Sequence, residues 1–241
     1  MISIENSYKI LEVRKDFSQA ELKKAFRKKA KLFHPDKSGK KNTEQFQKIL
    51  EAYNLLCSLH ENSVFDFRER KQESTFDYHE WLSKKDDNAS RAKLIFWDVM
   101  HNFEDEAVSI FKQFFDAETL QKYFSIEDFM DYGYILSEEL FFRSEYYDAF
   151  LLLEQIIKLE YKYNYFKIFF PEVIDFALKI LKNKMEGNVP DELALDSWER
   201  SLDLNFSPKD ERTILNKMGK AYERLGDFEM AKACYSMKEK L

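Results

Sequence analysis

The chain has 241 residues, a net charge of −6, two cysteines, and only five glycines and four prolines. Ordinary usage gives roughly 12% glycine plus proline, about three times as much, so the composition argues against sandwiches, barrels, collagen-like sequence and flexible linkers. With 44% hydrophobic and 34% charged residues there is material for a core, and an all-α fold in one or two domains is expected.

Cys57 and Cys234 match no CxxC spacing, and the four histidines are scattered, so neither a disulfide framework nor a metal site is expected. Reduced thiols packed as small hydrophobes are the simpler reading. The first residues, MISIENSYKILEV, lack a basic stretch followed by a long apolar one. The strongest apolar runs, Ala149 to Leu153 and Tyr165 to Phe170, fall far short of the ~18 residues a membrane span needs. A cytoplasmic location without a membrane partner is expected. Charge is unevenly divided: residues 1–66 hold 13 Lys/Arg and 9 Asp/Glu, a net of +4, and the remainder is −10. Such asymmetry predicts two units with different partners.

In chain order, Ser18 and Glu21 have the spacing of a capping box. Leu22, Ala25, Phe26, Ala30 and Phe33 then mark one face of a helix. Lys23, Lys24, Arg27, Lys28 and Lys31 occupy the others. Pro35 removes a backbone donor and disfavours helix at His34, so the helix is expected to end there. Lys37 to Asn42 reads as a loop. Phe46, Ile49, Leu50, Tyr53, Leu56 and Cys57 mark a second amphipathic helix, giving a hairpin that Tyr8, Ile10, Leu11 and Val13 can cover.

Tyr8-Lys-Ile-Leu11, the basic helix, His34-Pro35-Asp36 and Phe46-x-x-Ile49-x-x-Ala52-Tyr53-x-x-Leu56 together resemble a J-domain, the signature of DnaJ-type co-chaperones. The resemblance covers roughly residues 5 to 67. It implies a four-helix unit with the HPD tripeptide at a hairpin tip, and stimulation of ATP hydrolysis by a DnaK-class seventy-kilodalton heat-shock chaperone. It also implies chaperone contacts at His34, Pro35, Asp36, Lys23, Arg27, Lys28 and Lys37. The chemistry suits that role, since a basic helix steers an acidic partner and Asp36 can pair with a partner arginine. Phe26 and Phe33 are expected in the core. Three positions depart from the family: Glu12 replaces the usual glycine, Lys29 a frequent leucine, and Asn62 an arginine before Phe65-Asp66.

Residues 68–90 are charged and poorly periodic, and read as a linker in which Phe76, Tyr78, Trp81 and Leu82 can dock as a short helix, with His79 exposed or structural. From Arg91 onward, four places combine a turn, an acidic or aromatic pair, and an alanine opening a helix: Ala107, Ala149, Ala194 and Ala231, spaced by 42, 45 and 37 residues. A period near 40 predicts an α-solenoid of helical hairpins. Met218-Gly219, Tyr222, Gly226, Ala231 and Tyr235 resemble a tetratricopeptide repeat; Ala194, Trp198 and Ser201 fit the third copy.

The domains are therefore expected at 1–67, 68–90 and 91–241. Residues 91–170 hold 22 aromatics, expected mostly in the core, with a groove for a client or partner segment as the sharper alternative. Asn216, Lys217 and Lys220 are candidates for holding an acidic C-terminal segment. No phosphate loop, G-x-S-x-G or HExxH is present, and paired acids such as Asp86-Asp87 lie in ordinary surface patterns. The expectation is a non-enzymatic co-chaperone without cofactors, whose 91–241 region binds or localises a client. The alternative is an adaptor that uses the J-domain only as a tether. Nucleic acid is not an expected partner, given the acidic balance.

Overall fold

The computed structural model describes residues 3–33, 43–64, 78–101 and 103–241. Every regular element among them is helical, and the chain divides into two compact units, Met1–Tyr78 and His79–Leu241.

The first unit holds α1 (Ile4–Leu11), α2 (Gln19–Phe33) and α3 (Thr43–Val64), which pack on one another. Ser3 caps α1 by accepting the Asn6 N–H. At the other end Glu12 turns the chain in the left-handed region, φ 57°, and donates its N–H to the Tyr8 carbonyl. The capping box at α2 forms as expected. The Glu21 N–H donates to Ser18 Oγ at 3.2 Å, and the Ser18 N–H donates to Glu21 Oε2 at 2.8 Å. α2 is described as far as Phe33, and its expected end at His34-Pro35 lies outside the described residues. Leu11, Ala20, Leu22, Ile49, Ala52, Tyr53, Leu56 and Cys57 form the core, and Phe26 stacks on Tyr53 at 4.3 Å. The segment with Phe65-Asp66, where a fourth helix was expected, lies outside the described residues.

The second unit begins at His79, so residues 79–90, with the docking segment expected in the linker, fall within it. Two contacts explain this: Leu82 of α4 (Tyr78–Ser83) is buried, and His79 reaches Asp98. Next come α5 (Asn88–His101) and α6 (Glu104–Phe114), a short α7 (Ala117–Gln121), α8 (Ile126–Phe142) and α9 (Tyr146–Tyr163). After a 3-10 turn at Lys167–Phe169 follow α10 (Phe170–Asn183) and α11 (Asp191–Ser201). A second 3-10 turn, Leu202–Leu204, leads to α12 (Pro208–Leu225) and α13 (Phe228–Lys240).

Pairs α5–α6, α8–α9 and α12–α13 are hairpins, whereas α10 and α11 pack chiefly on α9 and α12. Trp198 of α11 joins it to α10 by donating its indole N–H to the Leu181 carbonyl at 2.9 Å. Ala107, Ala149, Ala194 and Ala231 lie on α6, α9, α11 and α13 and are all buried, as close helix contacts require of a small side chain. Gly219 has the same cause: a Cβ there would lie 2.4 Å from the Tyr235 ring. Gly226 ends α12 at φ 81°. Other left-handed turns are made by Ser144, Asn164, Lys167 and Asn205, which is how so few glycines suffice.

Of the 22 aromatics between 91 and 170, eight are buried in the core, eight are half-buried and six are exposed. Tyr134 is central, meeting Phe166, Phe169 and Phe176 edge to face. Among the exposed ones, Phe114 lies under the Arg91 guanidinium and Phe103 stacks on His79. No helix among the described residues is long and apolar enough to cross a membrane. Both cysteines are free and buried.

Candidate functional site

The expected docking surface divides along α2. Lys28 is exposed. Lys23 differs from expectation: it is 2% exposed and engaged within the protein. The reason is positional, since Lys23 shares the i±3 row of Ala20 and Phe26 and lies at the edge of the packed face. The backbone of Arg27 lies in α2. His34, Pro35, Asp36 and Lys37 lie outside the described residues. α2 therefore delivers the chain to His34 from a capped, packed helix.

The two departures from the family pattern at Glu12 and Lys29 meet in space. Lys29 Nζ lies 2.5 Å from Glu12 Oε1. The Lys29 ammonium holds the Glu12 carboxyl below the usual carboxylate range. A glycine at 12 and a leucine at 29 would remove both ends of this bond together. Each substitution was visible in the sequence, but the pairing was not.

In the second unit the buried acids have structural partners. Glu160 accepts backbone N–H groups of Tyr165 and Phe166 at 2.8 Å and of Lys167 at 3.0 Å, fixing the turn after α9. Asp131 accepts from the Tyr165 hydroxyl at 2.8 Å. Glu154 pairs with Lys158 at 2.6 Å and Arg200 at 3.4 Å. Glu139 pairs with Arg143, which also reaches Asp105.

Asp98, fully buried, has His79 Nε2 at 3.2 Å from its Oδ1. Burial pushes its carboxyl up to about 6, against the lowering effect of His79 and with a further push from Glu106. His79 lies between Trp97 and Phe103, at ring distances of 4.9 and 5.6 Å. Sequence spacing offered no signal for this pair.

An open cleft of about 580 Å³ is lined by Glu186, Gly187, Asn188, Val189, Pro190, Asp191 and Arg224. Its charges are internally matched, with Arg224 forked on Asp191 and Glu186 bonded to Lys217. Asn216 and Lys217 are held by Lys238 and Glu186, not left open to an acidic segment. Among the described residues, no group of three or more His, Cys, Asp or Glu side chains is placed to hold a metal.

Comparison with known proteins bears on the first unit. Residues 6–66 match the DnaJ domain family model. Chaperone protein DnaJ 1 of Cutibacterium acnes is 46% identical over 59 residues, 24% of this chain and 15% of that protein. Chaperone protein DnaJ of Hydrogenobacter thermophilus is 37% identical over 82 residues, 33% of this chain and 23% of that protein. The Curved DNA-binding protein of Coxiella burnetii is 40% identical over 60 residues, 24% of this chain and 19% of that protein. The chain thus spans less than a quarter of the length of these relatives. No solved structure matches it. The capped helix leading to His34-Pro35-Asp36, the α2–α3 core and these matches agree: residues 6–66 are a J-domain.

Proposed function

We propose that this protein is a co-chaperone that docks on a DnaK-class heat-shock chaperone and stimulates its ATP hydrolysis. The carrying observation is the DnaJ match over residues 6–66 with an intact His34-Pro35-Asp36 directly after α2. Docking uses that tripeptide with Arg27, Lys28 and Lys37; Lys23, being buried, is not part of the proposed contact. The partner's ATPase site supplies the chemistry, and this chain supplies binding energy that favours the hydrolysis-competent state. It needs neither cofactor nor metal of its own.

The second unit acts as a tetratricopeptide-like scaffold that binds or localises a client protein. The close Gly219–Tyr235 approach, the left-handed Gly226 and the buried Ala231 support that reading of its last hairpin. Nucleic acid is not the proposed partner, because the similarity to the Coxiella protein lies in about 60 residues and the remainder of this chain is net −10. Two buried thiols fit a reducing, cytoplasmic setting.

A single-turnover ATPase assay with the DnaK-class protein of the same cell tests the proposal. Wild type accelerates hydrolysis, and His34→Gln or Asp36→Asn abolishes the acceleration. Binding without acceleration by wild type indicates a tether instead, and neither binding nor acceleration rejects both readings.

A further inference from the structure

The two ends of the Glu12–Lys29 bond differ in their access to water. Lys29 keeps 16% of its side chain exposed and Glu12 keeps 66%, so the cation is tucked against the helices and the carboxylate faces outward. The carboxylate is also held in place. Glu12 closes α1 in a left-handed turn and donates its N–H to the Tyr8 carbonyl, and Lys29 bonds its side chain. Lys29 lies one helical turn before Phe33 on α2. Lys28, exposed on the same helix, adds to the pull on the Glu12 carboxyl, so the two side chains are neighbours. A fixed, outward carboxylate therefore stands beside a lysine of the proposed docking face.

A surface that receives Arg27, Lys28 and Lys37 is acidic by complementarity. Those three draw it in, and Glu12 repels it from beside Lys28. Lys29 cancels only part of that repulsion, because the approaching surface meets the outer charge first. We propose that Glu12 is an electrostatic attenuator of docking, which slows the encounter with the acidic face of the DnaK-class chaperone, and that Lys29 sets how much of its charge the chaperone meets. The inference rests on the co-chaperone reading and adds to it a control on the strength of the same contact. A charge at the edge of an interface acts mainly on the association rate, so that is the quantity to measure.

Stopped-flow association of the full chain with the DnaK-class protein of the same cell tests this, with ATP present. At an ionic strength of about 0.02 M, Glu12→Gln associates about threefold faster than wild type, and at about 0.5 M the two rates converge. Lys29→Leu, which leaves the carboxylate uncancelled, associates about threefold slower, and the double variant returns to near the wild-type rate. Glu5→Gln is the control. It makes the same change of charge at the other exposed end of α1, about 10 Å away along the helix, and changes the rate less than half as much. Glu12→Gln loses an ion pair and gains no contact, so faster association does not come from a better-folded chain. A Glu12→Gln rate equal to or below that of wild type at low salt, a gain that persists at high salt, or a gain matched by Glu5→Gln overturns the attenuator and leaves docking intact. A wild type that does not bind overturns the co-chaperone reading, and the attenuator with it.

Discussion

Among the first unit's residues whose burial is described, Lys23 is the one buried charge; the second unit buries Asp98, Asp131, Glu139, Glu154 and Glu160. The ways in which the units are specified differ accordingly. In the first, a cap and a helical period set the described elements locally. In the second, bonds between distant residues hold the helices together: Asp131 with Tyr165, Glu154 with Arg200, and Arg143 with Asp105. A mutation that removes a buried carboxylate holding several hydrogen bonds should therefore hurt the second unit far more than loss of a cap hurts the first.

Glu160 gives the largest expected effect. Glu160→Ala leaves three backbone N–H groups of the Tyr165–Lys167 turn without their acceptor. The expected loss of unfolding free energy is about 3–5 kcal/mol. Urea denaturation followed through the buried Trp198 measures it, and a loss below about 1 kcal/mol would sink this account of the turn. Asp98→Asn comes next and has the opposite sign. A carboxyl whose folded value is raised to about 6 contributes stability at low pH that is lost as pH climbs through that value. The neutral asparagine should therefore stabilise the second unit by about 1–2 kcal/mol at pH 8 and by nothing below about pH 4, half the nominal effect being discounted because His79 is partly open to water. Equal effects at both pH values would contradict burial as the cause.

These residues also mark where sequence reading stops. Ser18-x-x-Glu21 announced its own cap because both partners lie within one turn. Pro35, expected to end α2, lies outside the described residues. The four buried alanines were legible as a period, and Gly219 as part of a spaced motif. Glu160 and Asp98, by contrast, look like any surface acid in the chain, because their burial depends on helices that arrive from elsewhere. Lys23 was misplaced by the converse error: its charge suggested solvent, but its i±3 row belongs to Ala20 and Phe26. Among the site residues, then, the motif was readable, while which lysines face outward required the packing.

Smaller effects test the local side of the contrast. Ser18→Ala should cost about 1 kcal/mol, confined to the first unit, because one N–H of the first turn of α2 loses its acceptor. Chaperone stimulation should survive it, since His34-Pro35-Asp36 is untouched. Differential scanning calorimetry of wild type and variant reads the shift, and a loss as large as that of Glu160→Ala would erase the distinction between the units.

Glu12→Gln is the mildest and the most diagnostic. Glu12 is exposed, so its bond to Lys29 adds little in high salt. Its carboxyl is nevertheless held below the ordinary value by the Lys29 ammonium. A lowered folded value means that the contribution is present above the unfolded value and is lost as pH falls through the folded one. Wild type should therefore melt slightly higher than Glu12→Gln at pH 7, and the two should converge below pH about 4. Glu12→Gly should differ again: it loses the ion pair but relieves a left-handed φ of 57°, so it should melt at or above wild type even where the carboxylate is fully ionised. If Glu12→Gly melts lower than Glu12→Gln, the backbone at this turn is not under the strain its φ implies. The ion pair with Lys29 would then account for the departure from glycine by itself.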